Sequence, residues 1–353
     1  MDVDESAEPL IAGYDGVVCD LDGVVYRGAD AVHGAPEALQ HMVARGIRVV
    51  YATNNASRVP AEVAAQIAGI GAPAAASDVV SSAQAGAARL AGQLDEGAAV
   101  LALGGDGVVE ALRDAGLRPV SLDDHDGGVG LDGVKAVLQG LGRNLRVRDF
   151  ETAARLLTAG LPWVATNDDA TLPLPWGQSP GNGAYVDLLA AALRRRPEVV
   201  GKPHPPLYRL ALERLGTSAP RTLAVGDRIG TDIVGAEAAG LDSAWVLTGV
   251  DRPSDLVASE SSPTYVLTSL AQLLQPYAVP VSDAGGWQCG GARVTCEGAA
   301  LSVEQGSAGP IEAVRAGLAA LLSLRDEGAP REQLRREARA LDRLLDDSPP
   351  PTR

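Results

Sequence analysis

Short apolar runs, separated by stretches of helix length, recur along most of the chain. Val17-Val18-Cys19 ends at Asp20 and reads as a buried strand. A Gly-containing turn follows, then a helical stretch over 35–45, a second strand over 47–52, and the polar cluster Thr53-Asn54-Asn55. A helix over 60–68 comes next. Strand, helix, strand, helix at this spacing predicts a parallel sheet wrapped by helices. The pattern resumes with a strand over 98–103, the turn Gly104-Gly105-Asp106-Gly107, a helix, and strands over 134–138 and 163–166. Residues 171–183 are rich in Pro and Gly and read as a loop before a helix over 187–195. A short strand then leads into Gly201-Lys202-Pro203. A helix over 205–215, a strand over 222–225, a helix over 233–239 and a strand over 243–247 complete the run.

Beyond about Pro276 the pattern changes. Short strands with Gly turns are expected over 287–296 and 300–303, then two helices over 311–325 and 331–346. This portion reads as a separate appendage. The helix over 331–346 puts Leu334, Leu341 and Leu345 on one face and its arginines elsewhere, as expected for docking on the core or on a second subunit.

Composition narrows the function. The chain has 353 residues, 46% of them hydrophobic, which is enough for more than one domain. Aromatic residues are only 3%, which argues against base stacking on single-stranded nucleic acid. The net charge of -15 disfavours polyanionic partners, so a bound phosphate would need a local cation. No apolar stretch reaches membrane-spanning length, and the N-terminus MDVDESAEPL is acidic. Three cysteines, Cys19, Cys289 and Cys296, fit a reducing cytoplasm. No nucleic-acid or membrane partner is expected.

Ligands of open parallel sheets bind beyond the carboxyl ends of the strands. Asp20 and Asp22 follow the first strand here, Thr53 and Asn54 the second, Lys202 a later one, and Asp227 and Asp232 the strand over 222–225. Four carboxylates in one crevice repel one another unless a cation sits among them. A hard divalent ion such as magnesium suits oxygen ligands, and a phosphoryl group supplies the remaining oxygens. Any one of these aspartates could instead be a turn or cap residue; the set together points to chemistry.

Asp20-Leu21-Asp22-Gly23, Thr53-Asn54-Asn55, Lys202 in GKPHPP, and Gly226-Asp227-Arg228 through Asp232 resemble, in order, the four motifs of the haloacid dehalogenase superfamily. The long gap between the second and third motifs, with the phrases ATNNASR, ATNDDATLP and GNGAYV, resembles the NagD-like class IIA phosphatases. The whole-chain pattern is similar to the actinobacterial glycerol-3-phosphate phosphatases. The resemblance implies an α/β fold: a Rossmann-like parallel-sheet core over 1–85 and 195–275, a large inserted α/β cap over 86–194, and a small α+β C-terminal appendage over 276–353. The appendage resembles a reduced acetyltransferase. The resemblance also implies Asp20 as nucleophile and Asp22 as general acid and base. Magnesium would be held by Asp20, the Asp22 backbone carbonyl and Asp227, with Asp232 behind them. Thr53, Asn54 and Lys202 would bind the transferring oxygens.

An enclosed site under a large cap suits a small phosphate ester. Arg58, Asn167, Asp168 and Asn182 are the candidates for substrate contact. Glycerol 3-phosphate is the first expectation, with phosphoglycolate, nucleotides and pyridoxal phosphate as alternatives on the same scaffold. A non-catalytic sensor of a phosphometabolite is the rival from another class, and the intact Asp20 and Asp22 argue against it. The resemblance suggests a homodimer through the cap. His204 is expected at the rim, and Gly104 to Gly107 as a cap turn rather than a dinucleotide loop, because Glu110 replaces the last glycine of that pattern. The loop over 305–309 faintly resembles an acyl-CoA pyrophosphate loop, but an appendage under 80 residues is too short for a complete acetyltransferase.

Overall fold

The computed structural model describes residues 8–121, 131–174, 176–298, 300–306 and 308–346. The first seven residues of the acidic N-terminus, Ser307 of the loop over 305–309 and the Pro-rich end over 348–351 lie outside them. The chain forms two compact units, one of Met1–Val49, Ile70–Pro73 and Thr217–Arg353, the other of Val50–Gly69 and Ala74–Gly216.

The first unit holds a parallel sheet in the order Tyr265–Leu267, Asp242–Val246, Thr222–Gly226, Gly16–Cys19. Every residue of Gly16–Cys19 and Thr222–Gly226 is buried. This is why both read as continuous apolar runs rather than alternating ones: a parallel sheet is covered on both faces. After Gly226 the chain enters a π-helical turn, Ile229–Ile233, which runs into the helix Val234–Ala238. Widened turns of this kind are common at functional sites.

Residues from 276 onward, expected as a separate appendage, fold into this same unit. Four antiparallel strands, Val281–Asp283, Gly286–Cys289, Ala292–Glu297 and Ala300–Glu304, precede the helices Pro310–Asp326 and Arg331–Asp346. The single strand expected over 287–296 is two strands. Gly290, with φ +56°, makes the tight turn between them. Val281–Asp283 was missed because all three residues are exposed, so no apolar alternation marks it. The two helices share one apolar core with the parallel sheet: Ile229, Ile233, Trp245 and Leu256 pack with Val314, Leu318, Leu334 and Leu341. Burial of each such side chain contributes about 1.5–3 kcal/mol. Arg315 is buried in the same region, donating to the Val266 carbonyl at 2.9 Å and lying 4.1 Å over the Tyr277 ring.

The second unit is built on a five-stranded parallel sheet in the order Glu198–Val199, Trp163–Ala165, Val134–Gln139, Ala99–Leu103, Arg118–Val120. Leu101, Leu103, Val137, Phe150, Leu157 and Trp163 form its core. Residues 51–53 of the strand Arg48–Thr53 pair in parallel with Val79–Ser81. That short strand and the helix Ser82–Ala91 were not anticipated. A reciprocal cap marks the helix start: the Ser81 hydroxyl accepts from Gln84 N, and Gln84 Oε1 accepts from Ser81 N.

The loop expected over 171–183 contains a hairpin, Thr171–Leu174 with Gly177–Pro180, and the next helix begins at Asn182 rather than 187. Gly181 and Gly183 misled the sequence reading. They do not break the helix; they let its first turn press against the carbonyls of Asp169 and Asp168, where a Cβ would not fit. Gly107 has the same role, since a Cβ there would strike the carbonyls of Ala56 and Arg58. The turn over 104–107 is thus a packing device at the start of the helix Asp106–Asp114.

Candidate active site

Strand register gathers the acidic residues of the first unit. Gly16–Cys19 pairs with Thr222–Val225 so that Cys19 lies opposite Val225, and Asp20 N donates to the Val225 carbonyl at 2.8 Å. Asp20 and Asp227 therefore leave neighbouring parallel strands at the same end. The turn after Asp20 closes on the Leu21 carbonyl, which accepts from Val25 N at 2.9 Å. Asp22 is exposed in that turn.

One carboxylate oxygen each of Asp20, Asp227 and Asp232 lies within 4.8 Å of the other two. Asp227 and Asp232 are buried and Asp20 is half-buried. The space around them is kept open by glycines. Gly23, at φ +88°, and Gly249 both face the Asp227 carboxylate, and a Cβ at either would run into it. Backbone hydrogen bonds fix the rest. Arg228 N donates to Asp232 Oδ2 at 3.1 Å, and Trp245 Nε1 donates to the Asp227 carbonyl at 2.9 Å.

Three carboxylates this close in a low-dielectric setting repel strongly, and a cation among them removes the repulsion. The donor set is all oxygen, which fits a hard divalent ion; magnesium needs only one or two such carboxylates and fills its remaining positions with water and substrate. Asp232, expected behind the ligands, brings its carboxylate within 4.8 Å of the other two. Asp251, which the sequence reading missed, accepts from Ile229 N at 2.7 Å at the start of the turn that carries Asp232. Burial pushes the Asp251 carboxyl above its ordinary value, partly offset by that backbone donor, and the charges of Asp255 and Asp232 push the same way as burial.

The second unit collects the other expected residues. Lys202 is buried, and its Nζ donates to the Ala52 carbonyl at 3.1 Å, beside Thr53 at the end of its strand. Thr53 Oγ1 accepts from Asn55 N at 3.0 Å, which shapes the turn. The Asn54 amide holds Lys202 in place: Oδ1 accepts from Lys202 N at 2.8 Å, and Nδ2 donates to the Lys202 carbonyl at 2.9 Å and to Asp169 Oδ2 at 3.2 Å. Gly201 permits this, since a Cβ there would lie 2.6 Å from Asn54 Oδ1. The Lys202-Pro203 peptide is cis.

Asn54 was expected on the phosphate. Its side-chain amide is engaged with the lysine loop and Asp169, which adds a positioning role to that expectation. Asn167 and Asn182 belong to the same network: Asn167 Nδ2 donates to the Asn54 carbonyl and Asn182 Nδ2 to the Asn167 carbonyl, each at 2.7 Å. Both are buried. Arg58 is held locally, donating to Gln66 Oε1 at 2.6 Å and the Glu62 carbonyl at 3.0 Å. Asp168 is exposed, 3.9 Å from His204 Nε2. Its neighbour Asp169, overlooked in the sequence, is the residue that reaches Asn54. The signal was Asn167, whose Oδ1 accepts from Asp169 N at 3.3 Å, the two-residue turn typical of Asn.

A profile described as haloacid dehalogenase-like hydrolase matches residues 17–118, and a second, HAD-hydrolase-like, matches residues 199–273. The chain is 41% identical over 289 residues, 80% of its length and 78% of the relative's, to the D-glycerol 3-phosphate phosphatase of Mycobacterium tuberculosis. The chain belongs to the haloacid dehalogenase-like hydrolases. A crystal structure of a Mycobacterium tuberculosis glycerol phosphate phosphatase in complex with magnesium superposes with a TM-score of 0.80 at 36% identity, covering 95% of this chain and 98% of that one. A 5'-nucleotidase of Bacillus subtilis is 30% identical over 264 residues, 75% of this chain and 98% of the relative. Across the family members compared, the shared element is phosphate ester chemistry; the organic group differs.

Proposed function

We propose that this protein is a magnesium-dependent phosphomonoesterase that converts glycerol 3-phosphate to glycerol and phosphate. The observation that carries the reading is the meeting of the Asp20, Asp227 and Asp232 carboxylates at the ends of neighbouring strands, with Asp22 two residues beyond Asp20 in an exposed turn. The choice of glycerol 3-phosphate rests on the likeness to the mycobacterial phosphatase.

Asp20 Oδ attacks phosphorus, forming an O–P bond as the ester O–P bond breaks. Asp22 gives its proton to the leaving alkoxide, so glycerol departs neutral. Asp22 then takes a proton from water as that water attacks the phosphoryl-Asp20, returning the free carboxylate and inorganic phosphate. Asp20, Asp227 and the Asp22 carbonyl, with Asp232 beside them, would hold the magnesium ion, which would supply positive charge against the phosphoryl oxygens. Lys202 and Thr53 bind those oxygens, and Asn54 keeps Lys202 in place.

Among the described residues no helix is long and apolar enough to cross a membrane. As thiols, Cys19, Cys289 and Cys296 suit a cytoplasmic setting. A homodimer is the expected assembly, read out by sedimentation. Phosphate release across a panel of small esters tests the substrate: glycerol 3-phosphate should give the highest kcat/KM. A clearly higher value for phosphoglycolate, a nucleotide or pyridoxal phosphate would reassign it.

A further inference from the structure

The C-terminal helix Arg331–Asp346 packs on the short helix Pro253–Leu256, and its polar contacts lead toward the three clustered carboxylates. Asp342 Oδ1 accepts from Ser254 N at 3.1 Å, capping the short helix Pro253–Leu256. Arg335 donates to Asp255 Oδ1 at 2.9 Å, and Arg252 lies 3.1 Å from Asp346. Leu256 and Val257 are buried in one core with Leu334 and Leu341. The other end of this segment abuts the metal cluster: Gly249 faces the Asp227 carboxylate, and Asp251 accepts from Ile229 N. A second route runs through Trp245. Its ring is fully buried in the core shared with the C-terminal helices, while its Nε1 holds the Asp227 carbonyl.

We propose that the helix Arg331–Asp346 is a positioning element for the divalent ion, setting metal affinity through the segment 249–256. The proposal rests on the metal reading of Asp20, Asp227 and Asp232. Ligands are placed by what holds them from behind, and loss of such a support costs about 10–100-fold in metal affinity when it touches the ligand directly. Asp342 stands one layer further out, so a smaller effect is expected.

Calorimetric titration of the full-length protein with magnesium chloride tests this. Asp342→Ala should weaken magnesium binding by about 3–10-fold with an unchanged circular dichroism spectrum. Asp342→Asn, which keeps the acceptor for Ser254 N, should bind close to the wild type. Arg343→Ala, exposed on the same helix, should match the wild type. Should Asp342→Ala fail to fold, Arg335→Ala carries the test, with weakening in the same direction. Unchanged magnesium affinity in a folded Asp342→Ala or Arg335→Ala variant, even with a lowered melting temperature, would overturn the proposal and leave the helix a purely stabilising part. A wild type that takes up no magnesium would instead remove the metal reading beneath it.

Discussion

Asn54 holds both backbone polar atoms of Lys202, accepting from its N–H at 2.8 Å and donating to its carbonyl at 2.9 Å. A side chain from one strand end thereby fixes a loop 148 residues away in sequence. The same amide reaches Asp169, so three distant segments depend on one residue.

Asn54→Ala should therefore lower kcat/KM by about 10–100-fold while leaving the fold intact, because a small misplacement of a phosphate-binding group is enough for such a loss. Asn54→Asp should be worse: it keeps the acceptor for Lys202 N but sets a second carboxylate against Asp169. Steady-state kinetics with circular dichroism as the folding check reads this out. Equal kinetics for Asn54→Ala and the wild type would refute the positioning role.

Gly249 lies against the Asp227 carboxylate with no room for a Cβ. Gly249→Ala should push that carboxylate aside and raise the magnesium concentration needed for half-maximal activity by about 10-fold or more. A magnesium titration of activity decides it; an unchanged midpoint would mean that Asp227 is not a ligand.

Tyr14 is a stability prediction. Its hydroxyl donates to Asp242 Oδ2 at 2.7 Å and shares a second hydrogen bond with the Tyr265 hydroxyl at 3.1 Å. Burial, with those two hydrogen bonds, holds its pKa well above the ordinary phenol value. The folded state thus keeps a proton that the unfolded chain loses near pH 10. That contribution is whole below about pH 10 and is lost as pH rises beyond it. Tyr14→Phe should cost about 2 kcal/mol at neutral pH and make the alkaline fall in stability shallower. Urea melts between pH 7 and pH 11 measure both; parallel pH curves for the two proteins would count against it.

Burial also raises the pKa of the Cys289 and Cys296 thiols, so little thiolate forms at neutral pH. Iodoacetamide at pH 7 should label half-buried Cys296 slowly and Cys289 only after unfolding. Mass spectrometry of labelled peptides checks this; fast native labelling of Cys289 would show its strand to be open.

How much of this was legible in sequence follows from the kind of signal each part gives. Asp20 and Asp227 were readable because each ends a fully buried apolar run, and parallel register then sets them side by side. Asp232 was legible as an acidic neighbour of Asp227, but a four-residue gap after a turn does not reveal the widened helical turn that carries it. Asn54 was assigned to the phosphate by its place in the second motif; only coordinates show its amide closed on Lys202. Gly181 and Gly183 looked like loop residues because close packing and flexibility call for the same amino acid. The C-terminal helices were legible as helices. Their shared core with Trp245 was not, because an apolar stripe does not name the surface it covers.

The most direct test of the account is to trap the phosphoryl group on the protein. Asp22→Asn lacks the base that activates water, and p-nitrophenolate, unlike a glycerol alkoxide, leaves without a proton donor, so the variant should be mixed with magnesium and p-nitrophenyl phosphate radiolabelled at phosphorus, quenched in acid and digested. The account predicts label that is stable in acid, released by hydroxylamine, and confined to the peptide carrying Asp20. Label on any other residue, or retention of label when Asp20→Asn is added, would contradict it.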